Sequence, residues 1–366
     1  MKQQIILFLA ACSFVFGSSC RKPCPEKVTT TCEQPCIGRP EKIGEGPGQC
    51  LCSKAPPPSY NTPARIDIAC GWDVFTSVSF IYWHARQQGM ELARFRDFTG
   101  ESTLVTQDFE YTPGFKVAMG ASVRHDDWQA VIEYTRLHGS TRTDFFITSD
   151  EILNPSLRPT SLLEQDSDID LASFKSKWTN HLDIIDLSLL RPYYQGKMLM
   201  IKPSIGLRLG RIKQKLDSSE VIVDIPEFTF ARNQRSKSEF IGPRAAFDMM
   251  WELGRGVRID VTGAFALLYQ KNSSKLTGFD SAPAQDFNIP KASNRDIVPN
   301  ADLGLGLGWG SYFIDSRMHF DLLASYDFNY FWNQNTLRVN DATSFRYHKP
   351  GDLMYHGLTI KTRFDY

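Results

Sequence analysis

Three groups of residues in this 366-residue chain could do chemistry, and each asks for a different scaffold. The first is a set of cysteines, Cys20, Cys24, Cys32, Cys36, Cys50, Cys52 and Cys70, all before residue 71 and none after it. The second is a small set of histidines beside serine or aspartate: His125-Asp126-Asp127 and His138-Gly139-Ser140. The third is a series of charged residues at alternate positions of aromatic-rich runs: Lys116, Arg124, Glu133, Lys202, Arg208, Arg258, Asp260, Asp321, Asp327, Lys361 and Arg363.

The cysteines lie among prolines such as Pro23, Pro35, Pro47 and Pro56 to Pro58, which rule out a helix or sheet there. Cys32-x3-Cys36 and Cys50-x-Cys52 could ligate a metal, but zinc frameworks pair Cys-x2–4-Cys at both ends, and Cys-x-Cys fits poorly. In an exported chain disulfides are the stronger reading, with Cys24, Cys32, Cys36, Cys50, Cys52 and Cys70 as candidates. Export is expected because Lys2, the apolar run Ile5 to Phe16 and the small residues Gly17-Ser18-Ser19 have the pattern of a secretory signal over residues 1–19. Cys12 belongs to that signal, and Cys20 follows a sequence resembling a lipid-attachment box. Residues 20–69 then form a Cys/Pro-rich arm, and residues 70–366 a second unit.

That second unit positions the charged residues. Side chains alternate between the two faces of a strand. In the final run, Leu358, Ile360, Thr362, Phe364 and Tyr366 fall on one face, and Thr359, Lys361, Arg363 and Asp365 on the other. The run from Arg317 to Trp332 repeats the pattern, with Phe320, Leu322, Ala324, Tyr326, Phe328 and Tyr330 opposing His319, Asp321, Leu323, Ser325, Asp327 and Asn329. Similar runs cover 71–83, 114–124, 128–138, 181–194, 197–212, 240–253, 257–270 and 301–313. Ten strands result, each long enough for the ~9–11 residues that cross a bilayer.

The connections after the even-numbered strands are tight. Those after the odd-numbered strands, near 84–113, 139–180, 213–239, 271–300 and 333–352, are long and polar. Such alternation places short turns at one end and long loops at the other, as in outer-membrane barrels, with both ends of the sheet and the arm on the periplasmic side. The expected fold is all-β: a transmembrane antiparallel up-and-down β-barrel of about ten strands. Twelve are expected if 139–180 or 213–239 hides a further hairpin. The final aromatic strand is the expected signal to the barrel-assembly machinery.

Basic and acidic residues balance at 41 each, so no net field argues for nucleic acid. The alternating charges are expected to line a lumen, where mixed signs give weak ion selectivity. The alternative is that they pair across the barrel and fill it. Glycines 304, 306, 308 and 310 leave one strand face nearly bare, to bend the wall or admit a side chain packed close inside. Trp72, Tyr82, Trp83, Tyr193, Tyr194, Tyr312, Tyr330 and Trp332 sit near strand ends as an interfacial girdle would. An enzyme is the rival class. His125-Asp126-Asp127 falls at a tight turn, away from the long loops, and nothing in the sequence places a carboxylate to orient His138. No catalytic residue, metal or cofactor is therefore assigned.

Several segments, in order, carry a family resemblance: Phe80-Ile81-Tyr82-Trp83, Gly89-Met90-Glu91-Leu92, Gly114-Phe115-Lys116-Val117, Asp127-Trp128, Lys202-Pro203-Ser204-Ile205-Gly206-Leu207-Arg208, Ile241-Gly242-Pro243-Arg244 and Gly351-Asp352-Leu353. From about Gly71 to Tyr366 the chain resembles the Legionella-type major outer membrane protein family. The resemblance implies a porin-like channel in the outer membrane of a Gram-negative bacterium, for ions and small hydrophilic solutes, with homo-oligomers as an option. The arm is not part of that pattern and is similar instead to disulfide-linked chlamydial envelope proteins, implying crosslinked envelope partners. A structural or adhesive envelope protein with little conductance is the other reading.

Overall fold

The structure, a computed structural model, describes residue 66 and residues 73–366 apart from 97–100, 123–127, 147–155, 160–170, 196–197, 223–228, 282–283, 315–316, 336 and 338–350. The expected signal, the expected arm apart from residue 66, and all eight cysteines lie outside the described residues, as do Trp72, Arg124 and His125 to Asp127.

Ten antiparallel strands close into a barrel. They are β1 (Val74–Gln87), β2 (Tyr111–Ser122), β3 (Gln129–Phe146), β4 (Leu171–Leu190), β5 (Leu199–Ile222), β6 (Thr229–Gly254), β7 (Val257–Ser281), β8 (Ala284–Phe313), β9 (Met318–Phe331) and β10 (Leu353–Asp365). Each pairs with the next in sequence. The ring closes where β10 meets β1, from Phe75 opposite Asp365 to Gln87 opposite Leu353. Closure leaves the ring of strands without a free sheet edge, a condition that hydrocarbon imposes on any spanning sheet. A short strand, Tyr193–Gln195, adds to β5 at the short-turn end.

The outer face carries the apolar residues that period two assigned to it. Val78, Phe80, Phe115, Val117, Ile205, Leu207, Phe247, Val261, Leu305, Leu322, Leu358 and Ile360 are all exposed. On β7 the belt runs from Val257 to Tyr269, ~40 Å along the strand. At a tilt of ~45° that is ~28 Å along the barrel axis, the height of an outer-membrane apolar band.

The strands continue far beyond this belt. β6 has 26 residues and β8 has 30. The segments 213–239 and 271–300, read as loops, are therefore mostly strand, and only 223–228 and 282–283 separate the paired arms. These arms extend existing strands, so the barrel keeps ten. Their period is hidden because most side chains on both faces are polar there: Lys213, Lys215 and Lys237 point outward, while Gln214, Ser218, Gln234 and Ser236 are buried inside beside the apolar Leu216. A separate three-stranded sheet, Glu91–Arg96, Ser102–Thr106 and Ser156–Pro159, forms among the long connections.

At the opposite end the β6–β7 turn is Gly254-Arg255-Gly256, with φ of 109°, 54° and 79°. Glycine relieves the left-handed strain at two of these three positions.

Candidate functional site: a charged chamber below an apolar layer

Inward-facing residues at the short-turn half of the barrel enclose a cavity of about 700 Å³. Its mouth includes Glu252, the Gly254-Arg255-Gly256 turn, Tyr312 and His319. Lys116, Glu133, Lys202, Arg208, Arg258, Asp260, Asp321, Asp327, Lys361 and Arg363 all line it. The geometry brings these ten together because each lies on the inner parity of its strand. At the mouth, burial and the Glu252 carboxylate push the Tyr194 phenol above its ordinary range.

Most of these charges are paired. Arg208 on β5 donates from Nε and Nη2 to Asp186 on β4, at 2.7 Å each, and from Nη2 to Asp302 on β8, also at 2.7 Å. Its Nη1 reaches Asn300, and Arg244 adds a contact to Asp302 at 3.3 Å. A guanidinium fork can hold two carboxylates in fixed geometry, which an ammonium cannot. Because β6 and β7 lie between β5 and β8 in the ring, this cluster reaches across their inner faces. Lys116 on β2 lies 3.4 Å from Asp327 on β9 and 4.6 Å from the centre of the Trp83 ring. Arg258 holds both Asp260 and Asp321. Arg363 holds Asp365, which also contacts His319 at 3.1 Å, and stacks 3.6 Å over Phe75.

Lys202 and Lys361 have no ion pair within 4.0 Å among the described residues, nor do Glu133, Asp248 and Glu252. These five charges, of both signs, line the cavity.

Above the chamber the inner face changes character. Ile81, Leu137, Phe174, Trp178, Leu182, Ile212, Leu216, Phe240, Leu268, Phe331 and Tyr355 are buried in one cluster inside the barrel. Met90, Leu92 and Leu337, from the connections after β1 and β9, belong to the same cluster, so these residues pack against the inner wall. Each fully buried side chain of this kind is worth ~1.5–3 kcal/mol. Uncharged hydrogen bonds accompany them: Asn180 donates to the Tyr355 hydroxyl at 2.7 Å, Gln214 to Gln87 at 2.7 Å, and Gln334 to Ser238 at 2.9 Å. The polar-lined lumen expected from sequence is thus confined to one half, and its other half is packed like a core.

Two other expectations change. Trp83 is no girdle residue: it points inward, is 2% exposed, and donates to Thr359 at 3.1 Å. Tyr82, its neighbour, faces outward as period two requires. His138 does have a carboxylate: its Nε2 is 3.2 Å from Asp183, which also accepts from Tyr134 at 2.8 Å and Arg211 at 3.2 Å. His138 stacks on His181 with ring centres 4.2 Å apart. The described hydrogen bonds of the His138 side chain go to Arg136 and Asp183, and the group lies on the outer wall, away from the chamber.

Sequence reasoning missed Asp186, Arg244 and Asp302, the partners of Arg208. Parity would have found them, because Asp186 stands two residues from Ser188, Arg244 two from Gly242, and Asp302 two from Gly304, all inward.

The chain is similar, as a fold, to several solved barrels. They include the outer membrane protease OmpT from Escherichia coli, at 8% identity over 80% of this chain and 96% of that one, with a TM-score of 0.42. The Pseudomonas putida toluene transporter TodX shares 11% identity over 80% of this chain and 89% of that one, at a TM-score of 0.31. An anion-selective porin from Comamonas acidovorans shares 10% over 80% and 98%, at 0.17. No curated protein sequence matches. Residues 68–366 match the profile described as Legionella pneumophila major outer membrane protein precursor, and the chain belongs to that outer-membrane family.

Proposed function

We propose that this outer-membrane barrel is a porin-like channel for ions and small hydrophilic solutes, closed in the state described and opened by displacement of its apolar layer. The observation that carries the reading is the charged chamber of about 700 Å³, open at the short-turn end and lined by charges of both signs. Free charges of both signs favour weak discrimination between cations and anions. Leu92 and Leu337 are the residues that must move, since they join the buried cluster from outside the ten strands. Liposome swelling in sugars of increasing size tests this: small sugars should enter, and larger ones should not. Exclusion of the smallest sugar by folded protein would overturn the reading.

The packed upper lumen favours a second reading, a structural envelope protein with little conductance. Disulfides through Cys24, Cys32, Cys36, Cys50, Cys52 and Cys70 to envelope partners would serve either role.

A further inference from the structure

We propose that the outer wall of β3–β8, immediately above the apolar belt, binds the phosphorylated headgroup of a lipid in the surrounding outer leaflet. The inference uses the barrel's place in the outer membrane, with its long-strand end facing outward, and does not depend on conduction.

The wall carries a continuous cross-strand row. Arg136 stands opposite Asp183, Asp183 opposite Arg211, Arg211 opposite Glu239, Glu239 opposite Lys271, and Lys271 opposite Arg295. The next outward row adds His138, His181, Lys213 and Lys237 in the same register. These rows hold six Lys or Arg residues against two carboxylates, and the carboxylates are already occupied. Asp183 is held by Tyr134, His138 and Arg211, and Glu239 by Lys237. Lys213, Lys271 and Arg295 are exposed, with no ion pair within 4.0 Å among the described residues.

The belt lies directly below. Ile297 is two positions from Arg295 and 72% exposed, and Tyr269 and Leu267 follow Lys271 on the same face. A lipid seated here places its acyl chains on Ile297 and Leu267 and its phosphate among Lys213, Lys271 and Arg295. Basic side chains at an interface attract anionic headgroups, and the Arg fork suits phosphate oxygens. The opposite wall lacks this pattern. On that wall β9, β10, β1 and β2 present Tyr326, Phe328, His356, His84 and Tyr111, which contact one another ring to ring. The basic patch is therefore one-sided, as a binding site is and a uniform solvation shell is not.

The test is native mass spectrometry of the refolded full chain titrated with a diphosphorylated acyl-glucosamine disaccharide. Its dephosphorylated form, phosphatidylcholine and inorganic phosphate serve as comparisons. The diphosphorylated lipid should be retained on the order of tenfold more tightly than the others, and Lys213→Gln/Lys271→Gln/Arg295→Gln should lose that advantage. A heat-modifiable band confirms that the variant is folded. If the triple variant misfolds, Arg295→Gln alone with a salt titration replaces it: wild-type binding should fall with salt more steeply than the variant's. Equal retention of phosphorylated and dephosphorylated lipid, equal binding by folded variant and wild type, or competition by inorganic phosphate at equal concentration would each overturn the proposal.

Discussion

Arg258 on β7 donates to Asp321 on β9 at 2.9 Å although β8 runs between them, and the residues of β8 beneath the bridge are glycines. Gly308 stands opposite Arg258, and Gly310 opposite Asp321. A Cβ built at Gly308 would fall 2.6 Å from an Asp260 carboxylate oxygen and 2.8 Å from the Arg258 Cζ; one at Gly310 would fall 3.0 Å from Asp321. Of the two roles open to the glycine run, it performs the packing of side chains close inside the wall.

Substitution along the wall should therefore grade with what each Cβ meets. At Gly308 the obstacles are side-chain ends that can swing away at the expense of the bridge, so Gly308→Ala should cost ~1–2 kcal/mol. At Gly242 the obstacle is the Leu267 backbone oxygen at 1.9 Å, and Gly242→Ala should cost ~3 kcal/mol or more, or prevent closure. Gly263→Ala, whose nearest contact is 3.9 Å away, should change stability by less than ~0.5 kcal/mol. Urea unfolding of heat-modifiable protein in vesicles ranks the three.

Removing the Arg208 guanidinium leaves Asp186 and Asp302, whose side chains are 9% and 15% exposed, with the longer Arg244 contacts at 4.0 and 3.3 Å. Arg208→Leu should destabilise the barrel by ~3–5 kcal/mol. Adding Asp186→Asn and Asp302→Asn should restore most of that loss. A shift in urea midpoint that the added substitutions leave unchanged would show that the cluster acts through shape and not charge.

The unpaired lining charges set the selectivity of any current. Lys202→Glu with Lys361→Glu makes all five of those charges acidic. Reversal potentials in a salt gradient should then move toward cation preference, and neither lysine has an ion pair within 4.0 Å among the described residues to lose. An unchanged reversal potential would place the ion path elsewhere.

The lower half of the barrel was legible because its chemistry has the sign that period two assumes: Leu358 and Ile360 outside, Lys361 and Arg363 inside. At the upper edge of the belt the sign inverts. Arg136 faces out while Leu137 faces in, and Glu239 faces out while Phe240 faces in. Assigning apolar residues to the lipid side loses its phase there, so hydropathy ends one strand near His138 and begins another near Phe240. Beyond that edge most residues on both faces are polar, and the few buried apolar ones such as Leu216 leave hydropathy no clear period. The Arg208 partners needed only parity. The burial of Leu92 and Leu337 needed tertiary packing, which no local pattern encodes.

The direct test of the account is planar-bilayer conductance of the refolded chain beside Leu92→Asp/Leu337→Asp. Charged side chains at these two positions, 0% and 1% exposed, should drive both residues out of the buried cluster. The account predicts rare, stepwise, salt-dependent openings for the wild type and longer, more frequent openings for the variant. Silence from both, with each protein folded and heat-modifiable, would contradict the channel and leave the envelope role in its place.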